Sequence, residues 1–220
     1  MRSYEDRYRA LFQDFGYPLA GNAALSTRTI EQAEARLGVR VPASLRAYYL
    51  VAGREKRFNL SQERLLPPSE WTVEGRRLVF LEENQNVCIW GVSVRDPDAE
   101  DPAVSEGEPD DESASWHGVL KRKCSDFLAC MLHHQAVYGG LPHLAFGAFT
   151  KTPISADRLA KLGWKNYGEM KGETSYSRPN QVVTVAPIAL PFAKGWTVNA
   201  GARTKRDLEA IQAELGLEAG

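Results

Sequence analysis

A chain of 220 residues that is 43% hydrophobic and 25% charged has the composition of an ordinary globular protein, long enough to bury a core without a metal or disulfide staple. Its formal net charge of −1 argues against a globally basic nucleic-acid binder. The charged start Met1-Arg2-Ser3-Tyr4-Glu5-Asp6-Arg7 does not read as a signal peptide. The longest stretch without Lys, Arg, Asp or Glu, Phe127 to Thr150, is broken by His133, His134, Gly139-Gly140 and Pro142, unlike a membrane span.

Three cysteines, Cys88, Cys124 and Cys130, cannot all pair within the chain, and no C-x-x-C spacing occurs. Reduced thiols in the cytoplasm are the expectation. The near-zero net charge hides an asymmetry. Nine acids (Asp96, Asp98, Glu100, Asp101, Glu106, Glu108, Asp110, Asp111, Glu112) fall between Asp96 and Glu112 with no Lys or Arg among them, which leaves the rest of the chain with a surplus of eight cations.

Taken in chain order, Tyr4, Tyr8, Leu11, Phe12 and Phe15 form one apolar stripe and predict a first helix stopped at Gly16. Thr29-Ile30-Glu31-Gln32 reads as a capping box opening a second helix that closes at Gly38. Pro42 suits the first turn of a third, with Leu45, Tyr48, Tyr49 and Ala52 in register before Gly53. The period then changes. Trp71 to Val73 looks extended; Leu78 to Leu81 and Val87 to Val94 read as strands joined by a turn over Glu82 to Asn86. The apolar run from Val87 to Val92 predicts a strand buried on both faces. Asp96 to Ser115, acidic and Pro-containing, reads as a surface loop. A fourth helix is expected over about Ser125 to Tyr138, ended by Gly139-Gly140. Beyond it, Leu144 to Phe149, Val182 to Ala186 and Trp196 to Asn199 read as strands, Ser155 to Leu162 as a short helix, and Leu208, Ile211 and Leu215 as the stripe of a last helix.

Catalytic and nucleotide-binding signatures of the G-x-G-x-x-G, P-loop and G-x-S-x-G kinds do not occur. His133 and His134 are adjacent on a helix and so point about 100° apart; they read as a partly exposed pair rather than as metal ligands, and no metal or cofactor is implied. Cys124, beside Lys121-Arg122-Lys123 at a helix start, is the thiol best placed for reactivity, set against a plain packing role. Lys121-Arg122-Lys123 itself reads as a solvated turn. For Glu82, Glu83, Asn84 and Gln85 three readings stand together: a polar hairpin whose amides satisfy backbone groups, a partner-binding tip, or paired carboxylates for catalysis. The acidic segment, with Asp110, Asp111 and Glu112 at its end, is either a solvated loop or a contact surface for a basic partner. No base, nucleophile and orienting group can be assembled, so no catalytic residue is assigned.

Ile30-Glu31-Gln32-Ala33-Glu34-Ala35-Arg36-Leu37-Gly38, followed by Val41-Pro42-Ala43-Ser44-Leu45-Arg46-Ala47-Tyr48-Tyr49, resembles the opening of the SUKH superfamily, which joins fungal cell-wall assembly regulators to bacterial immunity proteins. The resemblance continues through Gly53, Leu66-Pro67, Trp71, Val79 to Gln85, Trp90-Gly91, Asp101 to Val104, Trp116 and Ser125 to Leu128, covering Ile30 to Tyr138. It implies an α+β fold with N-terminal helices packed on a mixed or antiparallel sheet, in one domain over residues 1–220. The motif-bearing core would be 26–140, with a C-terminal strand and helix extension, 141–220, completing the fold. It also implies a non-enzymatic protein-binding role. The partner would be a basic toxin domain that the protein neutralises, or, for a housekeeping regulator, a cellular protein; no direct nucleic-acid or membrane contact is implied. A hydrolase using Glu82 or Glu83 is the reading from a different class.

Overall fold

The computed structural model describes residues 3–110, 114–188 and 195–218. The fold is α+β, with two antiparallel sheets and the helices gathered mainly at the N-terminus. Among the described residues, no helix is long and apolar enough to cross a membrane. The chain divides into two compact units, one of Met1–Arg9 with Leu19–Leu128, the other of Ala10–Pro18 with Ala129–Gly220.

In the first unit the predicted stripes become helices α1 (Tyr4–Asp14, shared by the two units), α2 (Thr27–Leu37) and α3 (Ala43–Ala52), and a single turn, α4 (Lys56–Asn59), follows. Helix α2 starts earlier than its Thr-x-x-Gln pattern suggests. Ser26 is the N-cap, its hydroxyl accepting from the Thr29 amide at 3.2 Å, so Thr29 sits inside the first turn. Gly38 closes the helix at φ 66°, where a residue with a Cβ would be strained. Pro42 stands one position outside α3 as its N-cap. The buried tyrosines keep their hydroxyls bonded, as burial of a polar group requires: Tyr8 donates to Ser44 O at 3.1 Å, Tyr48 to Asn59 Oδ1 at 2.6 Å and Tyr49 to Leu66 O at 2.5 Å. Trp71 Nε1 donates to the same Leu66 carbonyl at 3.0 Å.

The sheet of this unit runs β1 (Arg64–Leu65), β3 (Arg77–Glu82), β4 (Ile89–Ser93), β5 (Ala103–Glu108) and β6 (Ser115–Lys123), with β2 (Thr72–Glu74) pairing β3 beside β1. Two expectations are corrected. The acidic segment is not a loop throughout: Ala103–Glu108 is an interior strand paired with both β4 and β6. Val104, Ser105 and Gly107 are buried in it, and Glu106 is tolerated because its Oε2 accepts the Trp90 indole N–H at 2.9 Å. Lys121-Arg122-Lys123 is not a turn but the end of edge strand β6, where charged residues discourage pairing with another chain. The buried run in β4 is shorter than predicted: Ile89 to Val92 are buried, whereas Val87 is 59% exposed.

The second unit holds its own sheet, ordered β7 (His143–Thr150), β11 (Trp196–Ala202), β10 (Gln181–Pro187), β9 (Glu173–Arg178) and β8 (Lys165–Met170). Residues 141–220 therefore build a separate sheet instead of adding strands to the first. Strand alternation sorts its residues cleanly. Tyr176, Val183, Val185, Val198 and Ala200 share a face that packs with Leu159 of α6 (Ala156–Lys161) and Ile211 and Leu215 of α7 (Lys205–Leu215). The other face carries Glu173, Ser175, Ser177, Thr184, Asn199 and Gly201. Against it lies the end of helix α5 (Cys124–Gln135), whose predicted extension to Tyr138 is instead a wider π-helical turn, Ala136–Gly140, with Gly139 at φ 141°. Gly201 permits this approach, since a Cβ there would stand 3.0 Å from Ala136 O.

Candidate functional site

The register of the first sheet brings the two sequence-derived patches to one end. Ile89 pairs with Gly107 and Glu108 with Ser115, so Glu108 and Asp110 leave β5 beside the turn that links Glu82 to Ile89. Glu82, Glu83, Asn84, Gln85 and Asp110 thus share one sheet end, with exposed Val87 among them. Asp111 and Glu112, which follow in the chain, lie outside the described residues.

Carboxylates, not amides, hold the turn. Glu83 Oε2 accepts the Gln85 amide at 2.7 Å, and the Glu83 amide donates to Cys88 O at 2.9 Å. Asn86 takes the left-handed conformation at φ 57°, which its short polar side chain tolerates. From beneath, the fully buried Glu63 accepts the Asn84 amide at 3.0 Å. Glu63 supports the tip and was missed by sequence reasoning, because nothing in its spacing sets it apart from a surface glutamate. Glu82 bonds Arg64, with Nη2 at 2.9 Å and Nε at 3.2 Å. The catalytic reading would need Glu82 or Glu83 beside a histidine. His117, the histidine at this sheet end, instead pairs with Glu108 at 3.1 Å.

The acidic run is not a bare block of repelling charge. Asp98 lies 3.7 Å from Arg40, and Asp101 accepts both the amide of Ser125 at 2.8 Å and its hydroxyl at 2.7 Å, capping the start of α5. With Glu106 bonded to Trp90, Glu108 to His117 and Asp96 to the Asp98 amide, at least five of the nine acids have partners within the fold. Of the described acids, Glu108 and Asp110 are exposed at the rim, whereas Asp96, Asp98 and Glu100 are exposed on the β4–β5 connection at the opposite end of the sheet.

A second polar cluster belongs to the second unit. The two histidines, expected partly exposed, are buried, at 0% for His133 and 4% for His134. Their helix face is covered by β9, which the sequence reading did not find. His133 Nδ1 lies 2.6 Å from Ala129 O and so carries the proton, leaving Nε2 to accept from Ser177 Oγ at 2.9 Å. The ring stacks on Tyr167 at 4.0 Å. His134 turns the other way, stacks on Tyr138 at 4.4 Å and brings Nδ1 to 3.8 Å from Glu173 Oε2. Glu173 Oε1 accepts from Tyr138 Oη at 2.9 Å and from Asn199 Nδ2 at 3.0 Å. Burial holds both imidazoles down to about pKa 4, with Lys165 adding to the effect on His133 and Lys171 on His134. Both are therefore neutral near pH 7, and because the rings diverge they cannot share one ion. Cys124 is buried, which pushes its thiol well above the ordinary range and removes the reactivity weighed for it.

No protein-family model, curated protein or solved structure matches this chain.

Proposed function

We propose that the chain is a non-enzymatic protein-binding module of the immunity type, which neutralises a basic toxin domain through the acidic rim of its first sheet. The observation that carries this is the convergence of Glu83, Asn84 and Gln85 with Glu108 and Asp110 at one sheet end, around exposed Val87. An apolar contact ringed by carboxylates suits a cationic partner: the charges steer encounter and the apolar residue adds area at the centre. The SUKH resemblance supports the same reading. Two of its motifs meet where Asp101 caps Ser125, and two more where Trp71 and Tyr49 share the Leu66 carbonyl. This role and three cysteines that remain thiols support a cytoplasmic residence.

The test is stopped-flow mixing with the toxin domain encoded beside the gene, across a salt series. Glu83→Gln, Asp110→Asn, Asp111→Asn and Glu112→Gln together should slow association about tenfold at low salt and flatten its salt dependence. The thermal midpoint should hardly move, because Glu83→Gln keeps a side-chain oxygen to accept the Gln85 amide and rim charges are screened over about 8 Å at physiological salt. An unchanged rate and slope would eliminate the rim as the contact.

A further inference from the structure

The opposite end of the first sheet, where Asp96, Asp98 and Glu100 are exposed on the β4–β5 connection, also gathers arginines. Arg77 pairs with Ser93, and Ala103 with Lys123, so β3 starts where β4 and β6 end. There a hollow of about 240 Å³ is lined by Arg76, Arg77, Arg95, Ser93, Ser105 and Val119, together with Pro102 and Ala103, and no carboxylate. Three arginines lining one small hollow place like charges close together, an arrangement that an anion would relieve.

Arg77 is fixed in advance. Its Nε donates to Ser105 Oγ at 2.9 Å, its Nη1 to Gly75 O at 3.2 Å, and its guanidinium carbon lies 4.8 Å from the centre of the Trp116 ring. That indole is itself seated on the sheet where Gly91 and Gly107 leave room; a Cβ at either would come within 2.7 and 3.0 Å of it. Arg77 Nη2 is left for another acceptor. Ser105, which accepts from Arg77, keeps its hydroxyl proton to donate.

Arg76 and Arg95 are exposed and enter no ion pair among the described residues. The acids nearest in sequence form no ion pair with them: Glu74 stands opposite Arg77 in the strand pairing, and Asp96 turns Oδ1 to the Asp98 amide at 3.0 Å. Arg76 is also held at φ 62° as the second residue of the Gly75-Arg76 hairpin turn, a position that favours glycine or asparagine. An arginine there costs the backbone more than glycine or asparagine would.

We propose that this hollow binds a phosphate group, free or carried on a phosphorylated side chain. A phosphate offers up to two negative charges and three acceptor oxygens to three guanidinium groups and two serine hydroxyls, a better match than a single carboxylate. The volume lies below the roughly 300–1,000 Å³ of pockets that engulf a drug-sized ligand, so a terminal group enters rather than a whole nucleotide. The site is independent of the acidic rim, and its test does not use the toxin.

The experiment titrates the full chain, at low salt, with pyrophosphate, with a phosphoserine peptide and with the same peptide unphosphorylated, following backbone amide resonances and heats of binding. Saturable shifts at Ser93, Arg95 and Ser105 are expected with one or both phosphate probes and not with the unphosphorylated peptide; the tighter probe identifies the source. Arg76→Gly should weaken binding roughly tenfold, the worth of one charge-assisted contact, while its thermal midpoint stays level or rises, because glycine suits the left-handed turn. Arg95→Ser should weaken binding similarly. The proposal fails if neither phosphate probe saturates, or if the double variant binds like the parent chain. It also fails if a short oligonucleotide binds more tightly than either probe, with a salt slope reporting several phosphates.

Discussion

Replacing Trp90 with alanine is expected to cost about 3–5 kcal/mol of folding stability, as removal of a buried aromatic does. The indole is 1% exposed and meets Phe127 at 6.0 Å, which in turn meets Phe80 edge-on at 6.1 Å. Truncation would open a cavity under the middle of β4 and leave Glu106 Oε2 without its indole donor at 2.9 Å. Trp90→Phe keeps most of the volume and removes only that donor, so it should cost about 1–3 kcal/mol, the range for a buried partner left unmade. Chemical denaturation of both variants, read by circular dichroism, separates the packing and hydrogen-bond contributions. Equal losses would mean that packing at this position is not what the alanine variant reports.

Acid should destabilise the protein well before its carboxylates titrate. His133 and His134 fall from an ordinary 6.5 to about 4 in the folded chain. The unfolded chain therefore binds more protons between those values, and unfolding becomes easier as pH falls. The stability is fully present above pH 6.5 and is lost progressively as pH approaches 4. For His133 the shift corresponds to about 3 kcal/mol. His134, whose value falls as far, should contribute a comparable amount. Denaturant midpoints between pH 7.5 and 4.5 should show this decline. His133→Gln, although destabilised at every pH, should reduce the slope by close to one proton. Ring proton resonances of the parent chain give an independent check: both histidines should remain neutral until about pH 4, and titration of either near 6.5 would contradict the burial described here.

The parts of the fold legible in the sequence are those whose buried residues are apolar and recur at a regular period or in a run. Helices α1 and α2 bury a single stripe, so Tyr8, Phe12, Ile30 and Ala33 leave a helical period, and α3, buried nearly all round, still repeats Leu45 and Tyr49 at that period. Strands β3, β4, β10 and β11 carry enough branched and aromatic residues to stand out. Strands β5, β6, β8 and β9 did not. Strand β5 sits inside the sheet with glutamates bonded to an indole and a histidine, β6 is an exposed edge, and β9 turns Glu173, Ser175 and Ser177 toward a helix that answers with polar groups of its own. Polar residues satisfied by distant partners look, in a sequence, the same as polar residues satisfied by water.

The same division holds for the sites. Residue types and spacing alone marked Glu82 to Gln85 as a turn and Asp96 to Glu112 as an acidic run, because turn chemistry and charge density are local properties. Only the pairing of Ile89 with Gly107 placed the turn beside the end of that run, and only the pairing of Arg77 with Ser93 gathered three arginines at the other end of the sheet. The cluster of Tyr138, Glu173 and Asn199 joins residues 61 and 26 positions apart through hydrogen bonds that no local pattern announces. Local preferences are written in neighbouring residues. Which groups meet is decided by strand register and by the helix that covers each face, since a shift of one residue would turn every one of these side chains to the other side of its sheet.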